Sequence, residues 1–159
     1  MSEYDNLNVV KEIYSAHRGR NIPALLDYLA DDVRWFSIGP PEIIPTAGTR
    51  YGRNQVEQYF ATLDGMEELE GFEPQEFIVQ GDKVVAIGDL ERYVPSTGIL
   101  AKSPWIHVFT LQKGKIAEFR SFYDTAAAIA ALESTQARGA STVKRASTVR
   151  WETLRRSFL

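Results

Sequence analysis

The chain has 159 residues, of which 44% are hydrophobic and 25% are charged, a composition typical of one globular domain. It contains no cysteine, which excludes disulfide bonds, thiolate metal sites and a cysteine nucleophile and favours a cytoplasmic protein. The sequence shows no membrane-spanning segment, secretory signal or phosphate-binding glycine motif, and with two histidines we expect neither a metal site nor a cofactor.

The net charge of −3 conceals two regions of opposite sign. Residues 134–159 hold six of the 18 basic residues and one of the 21 acidic residues, which gives this segment a charge of +5 and the rest of the chain −8. We therefore divide the chain into an acidic domain, residues 1–133, and a basic C-terminal extension, residues 134–159. Nucleic acid is not an expected partner of the domain, because binding to phosphates needs a concentrated positive surface.

The first part of the chain shows two helical patterns. Apolar side chains recur at the spacing of one helix face over residues 7–17, which predicts the first helix. Asn21 is a suitable N-cap for a second helix, whose leucine stripe extends to Leu29 and whose end we place at Asp31.

A short strand, a loop and a third helix follow. Residues 33–36 predict the strand, and residues 39–52, with three prolines and three glycines, predict a long ordered loop. Apolar residues at positions i, i+3, i+4 and i+7 over residues 56–63 predict the third helix. The acidic residues 67–70 are expected to form a solvent-exposed connection.

From Phe72 onward the pattern changes to strands joined by short turns, which make neighbouring strands antiparallel. A helix over residues 125–133, with Asp124 as its N-cap, is expected to close the domain. This order predicts an α+β fold in which three N-terminal helices pack on a curved mixed or antiparallel sheet, with a cavity between the two layers. The predicted strands are residues 77–79, 84–93, 105–111 and 116–123.

Three segments resemble the SnoaL-like polyketide cyclase group, which belongs to the nuclear-transport-factor-2-like (NTF2-like), or ketosteroid-isomerase-like, superfamily. They are LLDYLADDVRW (residues 25–35), GTRYGR (48–53) and WIHVFTLQKGKIAEFRSFYDTA (105–126), and the resemblance as a whole covers residues 5–133. It implies a conical α+β barrel that is open at one end and encloses an apolar cavity with a few polar groups. It also implies a homodimer formed through the outer face of the sheet.

Three residues are candidates for proton transfer or charge stabilisation. Asp124 is either a cavity carboxylate that acts as general acid or base, with a pKa raised by burial, or the N-cap of the closing helix. The resemblance implies the first role, because SnoaL-like cyclases use an aspartate as acid and base. His107 is either a proton carrier, if the strand face that includes Trp105 lines the cavity, or a buried structural histidine. Arg120 shares a strand face with Asp124, and it either binds an anionic substrate oxygen or forms a structural or interface salt bridge.

Aromatic side chains are the candidate walls of the cavity, with ordinary core packing as the alternative for each of them. Tyr14 is the most informative, because a hydroxyl on the first helix that points into the cavity would hold a developing oxyanion together with Arg120. The candidate ligand contacts are Tyr14, Trp35, Tyr59, Trp105, Phe122 and Tyr123.

These observations favour a protein that binds a small apolar molecule, or a cofactor-free acid–base enzyme of the isomerase, cyclase or dehydratase type with a carbonyl-bearing or polycyclic substrate. The alternatives are a non-catalytic carrier of such a molecule and a dimeric interaction module of the same fold. In the extension, Trp151, Leu154 and Phe158 predict a basic amphipathic helix that docks on the domain, on a partner or on lipid. Residues 144–147 resemble a basic-directed kinase site.

Overall fold

The computed structural model describes residues 1–133, and this part of the chain forms four helices and six strands. The helices are α1 (Glu3–Arg18), α2 (Ile22–Asp27), α3 (Gly52–Met66) and α4 (Thr125–Glu133). The strands are β1 (Leu29–Ser37), β2 (Gly48–Tyr51), β3 (Glu68–Gln80), β4 (Lys83–Val94), β5 (Ile99–Gln112) and β6 (Lys115–Tyr123). The predicted α+β class is confirmed, and the fourth helix is the closing helix α4.

All six strands form one mixed sheet in the order β2-β1-β6-β5-β4-β3. Neighbouring strands are antiparallel, except for β1 and β6, which are parallel. The β5–β6 hairpin closes through Lys113 and Gly114, whose φ angles of 50° and 76° are the positive values that a type I′ turn needs at both central residues. This hairpin places His107 opposite Ser121 on the neighbouring strand.

Helices α1 and α3 bury the faces that their periodicity predicts. The buried residues of α1 are Asn6, Val10, Ile13 and Tyr14. The buried residues of α3 are Val56, Tyr59, Phe60 and Leu63. In β5 every second side chain from Ser103 to Leu111 is buried, and Trp105, Phe109 and Leu111 belong to the main core, so the strand face that includes Trp105 is the inner one.

Two predictions for the segment between residues 28 and 52 are wrong. Helix α2 ends at Asp27, and Leu29 already belongs to β1, where it pairs with Ile116 of β6. The predicted extension of the helix to Leu29 is therefore wrong, because strand pairing outweighs the local helical pattern. The unbroken loop over residues 39–52 is also wrong, because Gly48–Tyr51 pairs with β1 as an edge strand.

The acidic stretch over residues 67–70 is a third correction. Its first residue, Glu67, is buried against Arg92 of β4, and its second, Glu68, opens β3. A solvent-exposed connection was expected because a local run of carboxylates gives no sign of a cation supplied by a distant strand. Strand β5 is likewise longer than predicted, because residues 99–110 pair with β4 along its whole length.

The basic C-terminal extension, including its predicted amphipathic helix and kinase-like segment, lies outside the described residues. Over residues 1–133, none of the helices combines the length and the apolar character that crossing a membrane requires.

Candidate functional site

A cavity of about 70 Å³ lies between α1, α3 and the inner face of the sheet. Its walls are mainly aromatic and come from every layer of the fold, including Tyr14 of α1, Phe60 of α3, Trp35 of β1 and Trp105 of β5. A single water needs about 10–15 Å³ of such space, and an apolar cavity of about 150 Å³ holds benzene. The packed core therefore leaves room for a small part of a ligand.

A hydrogen bond joins α1 to β5 inside this cavity. Tyr14 Oη and His107 Nδ1 are 2.8 Å apart, and the two rings are parallel within 2°. Which of the two groups donates depends on the ring nitrogen that carries the imidazole proton. The bond restrains the imidazole, because it ties the side chain of a β5 residue to helix α1.

Burial keeps both members of this pair uncharged. Loss of solvent, with a smaller contribution from His17, lowers the pKa of His107 to about 3. Burial also raises the pKa of Tyr14 well above its ordinary value of 10. The cause is visible in the surroundings, since the ring of His107 packs against Trp105 at 4.4 Å and Phe119 at 4.8 Å between centroids.

A buried ion pair forms a second polar feature of the cavity. Glu67 Oε2, just after α3, lies 3.3 Å from Arg92 Nη1 of β4, and the two side chains are 3% and 5% exposed. Burial raises the pKa of Glu67, and the Arg92 guanidinium opposes this shift. The guanidinium also stacks on the ring of Tyr123, with 4.6 Å between Cζ and the ring centroid. The cavity thus contains a carboxylate that is desolvated but electrostatically paired.

Several buried polar atoms, in residues that line the cavity, have no hydrogen-bond partner. Among the described residues these include three donors, namely Trp35 Nε1, Trp105 Nε1 and Arg92 Nε. Glu67 Oε2 also lacks a hydrogen bond, although it is in ion-pair contact with Arg92. Buried donors without an acceptor are uncommon in native proteins, because each costs about 1–3 kcal/mol.

Comparisons with known proteins identify the group to which this architecture belongs. A family model described as SnoaL-like domain matches residues 10–119, more than half of the chain. The chain belongs to the SnoaL-like family. The expected resemblance is thereby confirmed, and a search of curated proteins gave no match.

Solved structures of the same fold cover most of this SnoaL-like chain. An NTF2-like protein from Burkholderia xenovorans LB400 is 29% identical, with a TM-score of 0.77 over 84% of this chain and 99% of its own. An NTF2-like protein from Burkholderia pseudomallei K96243 is 28% identical, with a TM-score of 0.76 over 84% of this chain and 100% of its own. TerC, co-crystallised with polyporic acid, is 28% identical, with a TM-score of 0.72 over 82% of this chain and 99% of its own.

Six of the residues singled out from the sequence of this SnoaL-like domain line the cavity. They are Tyr14, Trp35, Tyr59, Trp105, His107 and Tyr123. The structure brings two of these, Tyr14 and His107, into direct contact. Residues 1–133 contain no group of three or more His, Asp or Glu side chains that could hold a metal ion.

The other three candidates do not line the cavity. Asp124 is exposed, and its Oδ1 accepts a hydrogen bond of 3.0 Å from the Ala127 amide, which is the N-cap geometry of α4. Arg120 and Phe122 belong to an outer patch that also includes Phe36, with the guanidinium 6.0 Å from the ring of Phe36 and 5.2 Å from that of Phe122. The register of β6 explains this, because the inner face carries Phe119 and Ser121 instead.

The polar pair Glu67 and Arg92 is not among the residues predicted from the sequence. Arg92 lies in an apolar strand at a position that alternates with Leu90 towards the core, and this inward charge was the available signal. Glu67 gave no local signal, because it is the first of several acidic residues and differs from its neighbours only through the distant Arg92.

Proposed function

We propose that this protein binds a small, mainly apolar, carbonyl-bearing molecule and transfers a proton to or from the carbon next to the carbonyl, without a cofactor. The observation that carries the proposal is a buried carboxylate, Glu67, in the same aromatic cavity as three donors that lack an acceptor. A general base in an apolar cavity and donors for the oxygen of an enolate are the two components that such proton transfer needs.

Glu67 is the proposed base. Its carboxylate takes the proton when the C–H bond breaks, and the electron pair moves to the carbonyl oxygen as an enolate. Burial raises the pKa of Glu67 and so strengthens it as a base, while Arg92 favours the ionised form that can accept the proton. The proton returns to carbon when the enolate collapses, which makes the whole step redox-neutral.

The donors of the cavity are proposed to bind the carbonyl oxygen. Trp35 Nε1, Trp105 Nε1 and Arg92 Nε lack acceptors, and a carbonyl oxygen with developing negative charge would satisfy at least one of them. Tyr14 and His107 are both neutral and mutually hydrogen-bonded, so we assign them to positioning and donation rather than to proton abstraction. Asp124 and Arg120 have no part in the proposed step. TerC, a relative crystallised with polyporic acid, supports a small-molecule ligand for this chain.

Exchange of hydrogen for deuterium tests the proposed activity. Acetophenone in D₂O, followed by proton NMR, should lose its methyl signal faster with the protein than with buffer alone. Glu67→Gln keeps the size of the side chain but removes the base, and we expect at least a ~100-fold lower exchange rate. Glu42→Gln, an exposed carboxylate in the loop after β1, is the matched control and should keep the full rate. Equal rates in Glu67→Gln and the wild type would contradict the role of Glu67.

A non-catalytic carrier is the second candidate function. The favouring observation is that the pKa of His107 is lowered to about 3 and that of Tyr14 is raised, so neither group titrates near neutral pH. A carrier would bind acetophenone or retain a metabolite without accelerating exchange. Mass spectrometry of the native protein as isolated would detect such a retained apolar molecule.

We also propose that the protein is a homodimer formed through the outer face of the sheet and that it is cytoplasmic. The outer patch of Phe36, Arg120 and Phe122, beside the half-exposed Ile106, suits a contact between two copies. Light scattering should give twice the monomer mass for the wild type and the monomer mass for Phe122→Ser.

A further inference from the structure

Three neighbouring strands place polar side chains side by side on the inner face of the sheet. Ser37 of β1 stands opposite Ser121 of β6, and Ser121 stands opposite His107 of β5. The three residues are 1%, 5% and 7% exposed, respectively, and all of them line the cavity. The next position across the sheet, on β4, is Ala86, so the polar side chains end there. We call Ser37, Ser121 and His107 the polar row.

The polar row lies inside an aromatic core. Trp105 and Phe109 are the inward neighbours of His107 along β5, and Phe119 is the inward neighbour of Ser121 along β6. Burying a hydroxyl or an imidazole among such side chains is unfavourable unless the polar atoms are hydrogen-bonded. Each polar atom of the row therefore needs a partner, either within the protein or in the cavity.

The hydroxyl of Ser121 has no such partner in the described part of the chain. Other buried hydroxyls are bonded within the protein. Ser103 Oγ accepts a hydrogen bond of 2.9 Å from the Asp124 amide, and Thr97 Oγ1 donates one of 2.5 Å to the carbonyl oxygen of Ala131. Ser121 thus differs from a serine that holds the fold together, because its hydroxyl makes no bond that the fold uses.

His107 supplies a second donor beside it. Its Nδ1 is bonded to Tyr14 Oη, and Nε2 has no partner within residues 1–133. If Nδ1 carried the proton and donated it, both the tyrosine O–H and Nε2 would lack partners. If Tyr14 donates instead, Nε2–H alone is left over, and this arrangement is favoured because an unmade buried hydrogen bond is costly. His107 therefore has an N–H group that is free to bind an acceptor.

Both donors are uncharged at neutral pH. Burial lowers the pKa of His107 to about 3, and a serine hydroxyl is neutral. The guanidinium of Arg92, which also lines the cavity, is already paired with Glu67. A neutral imidazole N–H can polarise a carbonyl oxygen, whereas a buried carboxylate needs a cation as its partner. The donor set therefore suits a ketone or an aldehyde and does not suit a carboxylate.

We infer, building on the proposed function, that the polar row binds the carbonyl oxygen of a ketone or aldehyde substrate, with Ser121 Oγ–H and His107 Nε2–H as the two donors. The cavity of about 70 Å³ has room for a carbonyl group and the carbons next to it. When Glu67 takes the proton from carbon, the electron pair moves to this oxygen, and both hydrogen bonds strengthen as the negative charge develops. Neither donor gives up its proton.

Ser121→Ala tests the assignment, with acetone in D₂O as the probe. Loss of one oxyanion donor should lower the maximum rate of hydrogen–deuterium exchange at least ~100-fold. The dissociation constant of acetone should rise only about 2- to 10-fold, because a neutral hydrogen bond to the ground state is weaker. Ser96→Ala removes an exposed hydroxyl in the turn between β4 and β5 and should change neither quantity.

The stability of the same variant separates a binding role from a structural one. Ser121→Ala removes a buried hydroxyl without a partner, so its midpoint of urea denaturation should equal or exceed that of the wild type. Ser121→Thr keeps the hydroxyl and should recover most of the exchange rate. A lower urea midpoint of Ser121→Ala, with exchange lost only in proportion to unfolding, would show a structural serine and would overturn the inference.

Acetate tests the preference for a neutral ligand, because it has nearly the shape of acetone but carries a charge. Calorimetric titration at pH 7 should give at least ~10-fold weaker binding of acetate than of acetone. Equal or tighter binding of acetate would overturn the assignment of a neutral carbonyl to the polar row.

The exchange assay also separates this inference from the proposed function. If Glu67→Gln loses exchange and Ser121→Ala keeps the full rate, the oxygen does not bind at the polar row and the proposed base stands. If the wild type accelerates exchange of neither acetone nor acetophenone, the proposed function fails and the inference fails with it.

Discussion

The indole of Trp105 lies directly against the backbone of Gly88, its partner across β4 and β5. A Cβ at position 88 would stand 2.6 Å from Trp105 Cζ2 and 2.7 Å from the carbonyl oxygen of Glu73, distances that real Cβ atoms do not show. Glycine at this position therefore lets the indole lie flat at the wall of the cavity. The position of Trp105 therefore depends on the absence of a side chain at Gly88. The shape of the cavity depends on it in turn, because Trp105 forms part of the cavity wall.

Gly88→Ala should accordingly destabilise the protein and alter ligand binding. Overpacking a core of this kind costs about 1–3 kcal/mol, and the indole must move towards the cavity because backbone blocks the other side. Urea denaturation followed by tryptophan fluorescence measures the change. Gly65→Ala is the matched control, because a Cβ in this part of α3 meets nothing within 4 Å and should be neutral or stabilise by up to about 1 kcal/mol. Equal stabilities of the two variants would contradict the close contact.

Local patterns in the sequence were sufficient for the buried faces of α1 and α3 and for placing Trp105 and His107 on the same face of β5, but not for deciding that this face is the inner one. The spacing of apolar residues in α1 and α3 directly reports which side chains are buried, and alternation in β5 places Trp105 and His107 on one face. The choice between the two faces of β6 could not be made in this way. Both faces carry aromatic residues, and the register with β5 that turns Phe119 inward and Phe122 outward is a property of the whole sheet.

The polar half of the site was beyond local reasoning for a related reason. Glu67 and Arg92 are 25 positions apart in the sequence, and they form an ion pair only when the C-terminal end of α3 packs against β4. The same holds for Gly88, since an isolated glycine in a strand pattern indicates a bulge or a close approach without naming the approaching group. Contacts between distant segments therefore account for most of what the sequence left undetermined.

His107 should make the protein less stable in acid. Its folded pKa of about 3 lies below the ordinary value of 6.5, so the neutral ring contributes stability that is fully present above pH 6.5 and is lost progressively as the pH falls towards 3. The total effect is on the order of several kcal/mol, because a shift of one pKa unit corresponds to about 1.4 kcal/mol. Urea denaturation between pH 7 and pH 4 should show this loss in the wild type.

His107→Gln removes the titrating ring, and its stability should depend less on pH over the same interval. The absolute stability of this variant is not the readout, because the Tyr14 hydrogen bond is altered as well. A slope in His107→Gln as steep as that of the wild type would show that another group causes the acid sensitivity.

Glu67 should have the opposite effect on the pH dependence. Its folded pKa is raised above the ordinary 4.5, so its contribution is most favourable below pH 4.5 and is lost as the pH rises through the folded value. The stability difference between the wild type and Glu67→Gln should therefore shift in favour of Glu67→Gln as the pH increases from 4 to 7. Chemical denaturation of both proteins at each pH measures this difference, and Glu42→Gln should parallel the wild type. A difference that shifts towards the wild type instead would mean that Arg92 outweighs burial.

Comparing two variants of Asp124 distinguishes a structural role of this residue from a catalytic one. Its Oδ1 accepts a hydrogen bond of 3.0 Å from Ala127, so Asp124→Ala removes the N-cap of α4 and should cost about 0.5–2 kcal/mol. Asp124→Asn keeps an oxygen that can cap the helix and should restore most of that stability. Because the carboxylate is exposed and lines no part of the cavity, both variants should retain the deuterium exchange rate of the wild type once folded. A loss of deuterium exchange in a well-folded Asp124→Asn variant would contradict this assignment and would show that Asp124 takes part in the reaction. The N-terminal end of α4 would then have to rearrange when a ligand binds, because Asp124 lies outside the cavity.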